Sequence, residues 1–135
     1  AYTHTFIARK AYDHCAETTI YLALDARKHG LGKRFYRAIE ELSLAQNIYN
    51  LYACIGEPQG EGDEYLTDNS IRFHEYLGFR RIGVFTRSGY KFGRWYNMSW
   101  AEKLLMEHPE HPEPVIPFLQ LDKALVADIL RRAAE

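Results

Sequence analysis

The chain reads as an α/β protein with a mixed sheet flanked by helices, and three observations lead there. Thr18 to Leu24, "TTIYLAL", is rich in β-branched and aromatic residues and contains neither Gly nor Pro, the composition of a strand. Apolar residues then recur at Leu31, Phe35, Ala38, Ile39, Leu42 and Ala45, the spacing of one helix face. "NLYACI", Asn50 to Ile55, is short, apolar and β-prone, so strand, helix and strand follow one another as a βαβ unit with a parallel pair.

The elements follow in order. The opening residues, "AYTHTFIARK", alternate like the end of a strand, and the next strand begins near Tyr12 and feeds into "DARKHGLGKR". The first helix ends near Gln46 or Asn47. "GEPQGEGDEYLTD" collects Gly, Pro and acids into a surface loop of a length that is often functional or mobile. Thr67 or Asp68 caps a short helix, "NSIRFHEYL", whose Ile71, Phe73, Tyr76 and Leu77 make a broad apolar face, and Gly78 stops it. "FRRIGVFTRS" and "RWYNMSWAEKLL" bracket "GYKFG" as two antiparallel strands around a turn. "HPEHPEPVIPF" holds four of the five prolines and is expected to be extended, before an amphipathic terminal helix from Leu121 to Ala134. The organisation expected is one domain over residues 1–106, followed by a Pro-rich tail and helix over 107–135.

Composition narrows the function. A chain of 135 residues that is 47% apolar and 14% aromatic builds a core and is not disordered. A net charge of −1 provides no global field for nucleic acid or an anionic membrane. Cys15 and Cys54 lie far apart without metal-ligand spacing, which fits reduced thiols. No apolar run approaches the roughly 18 to 20 residues that span a bilayer, and a cytoplasmic location is expected. "HPEHPEP" matches no standard metal site, so no metal is expected.

The chemistry concentrates in "DARKHGLGKR". A strand that turns through glycines into a helix points several backbone N–H groups into one concavity, where the helix dipole adds about half a positive charge. Gly30 and Gly32 let a ligand approach the backbone closely, and Arg27, Lys28, Lys33 and Arg34 add attraction, so a ligand with more than one phosphate is expected. GxxxxGK[ST] is absent, as are the third glycine and acidic residue of a dinucleotide fingerprint. The bland reading of the same residues is a glycine-assisted turn before a solvated basic helix face.

Strand, "RKHGLG", helix, strand and then "NSIRFHEYLGF" together resemble the acetyl-CoA-binding core of the GNAT superfamily of N-acetyltransferases. The superfamily loop pattern Q/R-x-x-G-x-G/A falls here on Arg27, Lys28, His29, Gly30, Leu31 and Gly32. "AYDHCAETTIYLAL", "HGLGKRFYRAIEEL", "SIRFHEYLGF" and "GYKFGRWYN" are similar to phosphinothricin acetyltransferase-like members, over roughly Ala1 to Glu107. The resemblance implies a GNAT-like fold in its C-terminal portion. It also implies acetyl-CoA as cosubstrate, with its diphosphate on the N–H groups from Lys28 to Lys33 and its pantetheine beside Ile20, Tyr21 and Leu22.

Acetyl transfer needs a neutral amine, a stabilised oxyanion and a proton for the departing thiolate. By the resemblance, Glu17 is the general base, directly or through water, and His74 is the acid for the thiolate or an orienting group. Asn69 and Ser70 open the second helix near the expected cofactor arm, where relatives place an asparagine at the position of Thr67. Arg9, Tyr12 and Lys91 match positions that bind a substrate's acidic groups, although solvated surface charge is an equal account of them. The superfamily fold begins with a strand, two helices and a strand hairpin that have no counterpart here, so truncation with homodimerisation is expected, or cover from the terminal helix. Two functions follow: an N-acetyltransferase for a small amine such as an amino acid or a phosphinothricin-like compound, or a non-catalytic half-domain that binds CoA or serves assembly.

Overall fold

The computed structural model describes residues 1–20 and 29–135. The alternating start of the chain forms β1 (Tyr2–Thr5), which runs antiparallel to β2 (Cys15–Thr19) with Tyr2 opposite Thr19 and His4 opposite Glu17. The connection closes as a 3₁₀ turn over Lys10–Tyr12, in which the Tyr12 N–H donates to Arg9 O at 2.9 Å. That local bond is why the strand expected from near Tyr12 begins only at Cys15.

The remaining elements are α1 (Leu31–Ala45), β3 (Asn50–Gly56), α2 (Asn69–Tyr76), β4 (Arg80–Lys91), β5 (Arg94–Leu104) and α3 (Lys123–Ala134). Among the described residues the strands form one mixed sheet in the order β1-β2-β3-β5-β4. β2 and β3 start side by side, since His14 O accepts from the N–H groups of Tyr49 (2.9 Å) and Asn50 (3.3 Å). This is what a βαβ crossover through α1 requires. The helix boundaries expected from spacing and capping hold to within two residues. The hairpin turn is tighter than "GYKFG": Phe92 (φ 54°) and Gly93 (φ 71°) both take left-handed backbone, so two residues suffice and Gly89 to Lys91 remain in β4.

The chain divides into two units, residues 1–51 with 104–135, and residues 52–103. In the first, α1 buries Gly32, Tyr36, Ile39 and Ser43 at helical spacing. The Tyr36 hydroxyl shares a 2.8 Å hydrogen bond with Thr18 Oγ1 on β2, and burial pushes its pKa up to about 12 against the opposing pull of that bond. α3 packs on α1 through buried Ile129 and Ala133, with Arg132 2.7 Å from Glu41. The Pro-rich segment lacks donors at its prolines, and α1's exit supplies them. Asn47 Nδ2 donates to Pro114 O (2.9 Å), and Gln46 and Ile116 exchange a pair of bonds at 3.0 and 3.1 Å.

The second unit buries Ala53, Ile55, Phe79, Tyr96 and Ala101. Gly78 ends α2 at φ 96°, a backbone that L side chains rarely adopt, and Lys103 Nζ donates to the adjoining Leu77 O at 2.7 Å.

Candidate active site

The turn into α1 has the form that anion binding needs. Gly30 is the N-cap residue at φ 72°, left-handed backbone that favours glycine, and a Cβ there would meet no described atom within 4 Å. The first helical bond closes from the Arg34 N–H to Gly30 O at 3.3 Å, so the amides of Leu31 and Gly32 precede the first closed turn. His29, Gly30, Lys33 and Arg34 are exposed and Gly32 is buried. The helix end together with Lys33 and Arg34 makes the exposed side of the turn at Gly30 electropositive. Tyr21, Leu22, Arg27 and Lys28 lie outside the described residues. Ile20, half-buried, follows β2 directly.

Glu17 lies on β2 with its side chain 20% exposed. Alternation sends Ala16 and Thr18 into the core toward α1 and turns Glu17 to the other face. Opposite it on β1, His4 Nε2 stands 3.6 Å from Glu17 Oε2. His4 carried no motif and was missed by sequence reasoning, because only the hairpin register brings it to the glutamate. Arg9 and Tyr12 occupy the 3₁₀ turn of the same hairpin, both exposed. Tyr12 lines a groove of about 360 Å³ with His4, Asp13, Cys15 and Gln46.

α2 carries the other group of expected residues. Thr67 Oγ1 accepts from the Asn69 N–H at 3.3 Å, while Asp68, the N-cap residue, makes no side-chain cap and pairs instead with Arg72 at 2.7 Å. Asn69 and Ser70 are exposed on the first turn. His74 is 5% exposed, edge-on to Phe79 at 5.2 Å, with Nδ1 2.7 Å from Ser70 O. A carbonyl oxygen only accepts, so Nδ1 carries the proton, and the neutral ring presents Nε2 as an acceptor. Burial lowers the pKa of His74, with the bond to Ser70 opposing. The ring is therefore better suited to orienting the start of α2 than to giving up a proton.

This burial has a pH signature. A histidine whose folded pKa lies below its ordinary 6.5 contributes stability in full above about pH 6.5 and loses it as pH falls below that value. The expected result is that wild type and His74→Gln differ in melting temperature at pH 7.5 and converge toward pH 5. A difference constant across that range would show that His74 does not titrate as a buried neutral ring.

Lys91 ends β4 in the second unit. Its ammonium lies 5.8 Å from the centre of the Tyr96 ring, and among the described residues no carboxylate is within 4 Å. It also sits 3.1 Å from where a Cβ on Gly56 would stand, at the C-terminal end of β3. Leu66 Cδ1 stands 3.0 Å from the same point. Among the described residues no three His, Cys, Asp or Glu side chains gather as a metal site, and no helix is long and apolar enough to cross a membrane.

Among the described residues a mixed five-stranded sheet is flanked by helices, and the sequence model of the Acetyltransferase (GNAT) domain matches residues 1–100. The chain belongs to the GNAT acetyltransferase family. It is 33% identical over 121 residues to phosphinothricin N-acetyltransferase of Streptomyces viridochromogenes, covering 90% of this chain and 61% of that protein. It is 30% identical over 86 residues to the L-methionine sulfoximine/L-methionine sulfone acetyltransferase of Pseudomonas aeruginosa, covering 64% and 45%. Among solved structures, a phosphinothricin acetyltransferase of Sinorhizobium meliloti in complex with acetyl-CoA superposes with a TM-score of 0.71 at 30% identity, over 86% of this chain and 60% of that one. The chain spans about half the length of the curated relatives it matches.

Proposed function

We propose that this chain carries the cofactor seat and the general base of an acetyl-CoA-dependent N-acetyltransferase whose acceptor is the amine of a small, amino-acid-like molecule. The observation that supports this reading is the left-handed backbone of Gly30 at the start of α1, the conformation in which the first amides of a helix can meet an anion. Arg27 to Lys33 hold the diphosphate, Ile20 to Leu22 run beside the pantetheine, and Thr67, Asn69 and Ser70 flank the second arm. Bound acetyl-CoA supplies the acyl group as a thioester. Glu17 takes the first proton of the incoming ammonium, directly or through a water, so that the neutral nitrogen can attack the carbonyl carbon; as the carbon–sulfur bond breaks, the second nitrogen proton passes to the departing sulfur, giving an amide and a free thiol. His74 orients the start of α2. Arg9 and Tyr12 in the first unit, and Lys91 in the second, are each candidates for the acceptor's acidic groups; the names of the relatives, phosphinothricin and methionine sulfoximine acetyltransferases, support that class of acceptor. A cytoplasmic homodimer, checked by light scattering, completes the reading.

The test is a melting curve with acetyl-CoA beside a free-thiol release assay over a panel of amines. Ligand at about 100 times its Kd adds about 2.7 kcal/mol. For a chain of this size that corresponds to a rise in Tm of roughly 5–10 °C. No rise would overturn the cofactor seat. Stabilisation without thiol release on any amine would favour a second reading, a non-catalytic domain that binds CoA or serves assembly.

A further inference from the structure

The loop "GEPQGEGDEYLTD", a surface loop of a length that is often functional or mobile, is organised around one carboxylate. The Asp63 side chain has no solvent exposure. Its Oδ2 accepts from the Gln59 N–H (2.9 Å), and its Oδ1 from the N–H groups of Tyr65 (2.9 Å) and Leu66 (3.1 Å). The hydroxyl of Tyr96 on β5, also fully buried, lies 3.3 Å from Oδ1, and Arg94 stands 3.9 Å away. Further ties run the same way. Gln59 Nε2 donates to Trp95 O (2.7 Å), Arg94 lies over the Tyr65 ring, and Tyr65 stacks on Phe92 of the hairpin turn at 4.6 Å and 11°. The Gln59 N–H first, then those of Tyr65 and Leu66, hold the Asp63 carboxyl down to about 2, so it is ionised throughout the physiological range.

We propose that Asp63 is a positioning residue, whose carboxylate ties residues 59–66 to one another and to β5 and thereby orders the start of α2, with Thr67, Asn69 and Ser70, the residues assigned above to the cofactor's second arm. The inference rests on the cofactor reading above. Its physical basis is that Leu66, the last residue bonded to Asp63, directly precedes Thr67, whose hydroxyl holds the Asn69 amide. Sequence Gly and acid content marked a loop, but no motif singled out one of its acids as the centre.

Asp63→Asn keeps the shape but turns one acceptor into a donor facing a backbone N–H, which leaves that N–H unmet. Tyr96→Phe removes only the hydroxyl. The test measures acetyl-CoA affinity by calorimetry on the wild-type chain and both variants, together with KM and kcat for acetyl-CoA. We expect about tenfold weaker binding and a matching rise in KM for Asp63→Asn, with kcat at saturating acetyl-CoA nearly kept. Tyr96→Phe gives a smaller loss of the same kind. A folded Asp63→Asn with wild-type affinity overturns the proposal. If Asp63→Asn does not fold, wild-type affinity in Tyr96→Phe overturns it instead. Failure of the wild-type chain itself to bind acetyl-CoA overturns the cofactor reading and this inference with it, an outcome distinct from a variant-specific null.

Discussion

Glu17→Gln is expected to lower kcat by about 10²- to 10⁴-fold while leaving the affinity for acetyl-CoA unchanged. The amide has the same size and the same hydrogen-bonding reach, but it accepts no proton near neutral pH. The position suits the role geometrically, because strand alternation takes Glu17 off the face that packs on α1 and leaves its side chain 20% exposed, within reach of an incoming ammonium or one water. Thr18, one residue on, faces the core and is held by Tyr36, so Glu17 sits on a strand locked from behind. Thiol release measured under saturating acetyl-CoA, with calorimetric Kd alongside, separates the chemical step from binding. Activity of the variant within a few-fold of wild type would remove Glu17 from the mechanism.

Tyr36→Ala should destabilise the fold by about 3–5 kcal/mol, as truncation of a large buried aromatic does. Tyr36 is 1% exposed and its hydroxyl bonds to Thr18, which is itself 5% exposed, so the variant leaves both a cavity and a buried hydroxyl without its partner. Tyr36→Phe isolates the second effect and should cost about 1–2 kcal/mol. Denaturant midpoints give both values at an unchanged m-value. A loss under about 1 kcal/mol for Tyr36→Ala would mean that α1 is not anchored to β2 through this ring.

The legible part of the fold was what periodicity and punctuation encode. The α1 face, the apolar run of β3, the stop at Gly78 and the antiparallel β4–β5 pair all stand where spacing put them. So does the start of α1 at "HGLG", where Gly30 takes left-handed backbone immediately before the helix. What spacing could not carry was pairing. His4 meets Glu17 only through hairpin register, and the 3₁₀ turn that moves the start of β2 from Tyr12 to Cys15 is a local hydrogen bond without a sequence signature. The internal order of residues 59–66 was hidden for a similar reason. Several acids and glycines compete in that loop, and Asp63 wins because its neighbours' N–H groups and Tyr96 converge on it in three dimensions. His74 illustrates a third limit: the helix position was evident, but its tautomer follows from a 2.7 Å contact with Ser70 O.

The first unit is discontinuous, since residues 1–51 are joined by 104–135 while residues 52–103 form the second. During synthesis, therefore, α1 leaves the ribosome long before α3, whose Ile129 and Ala133 pack on it and whose Arg132 reaches Glu41. Until then the hydrophobic side of α1 that α3 covers stays wet, and a nascent chain halted anywhere in residues 52–103 displays it to chaperones and proteases. The order of translation thus makes α3 the last element of this unit to become available for packing.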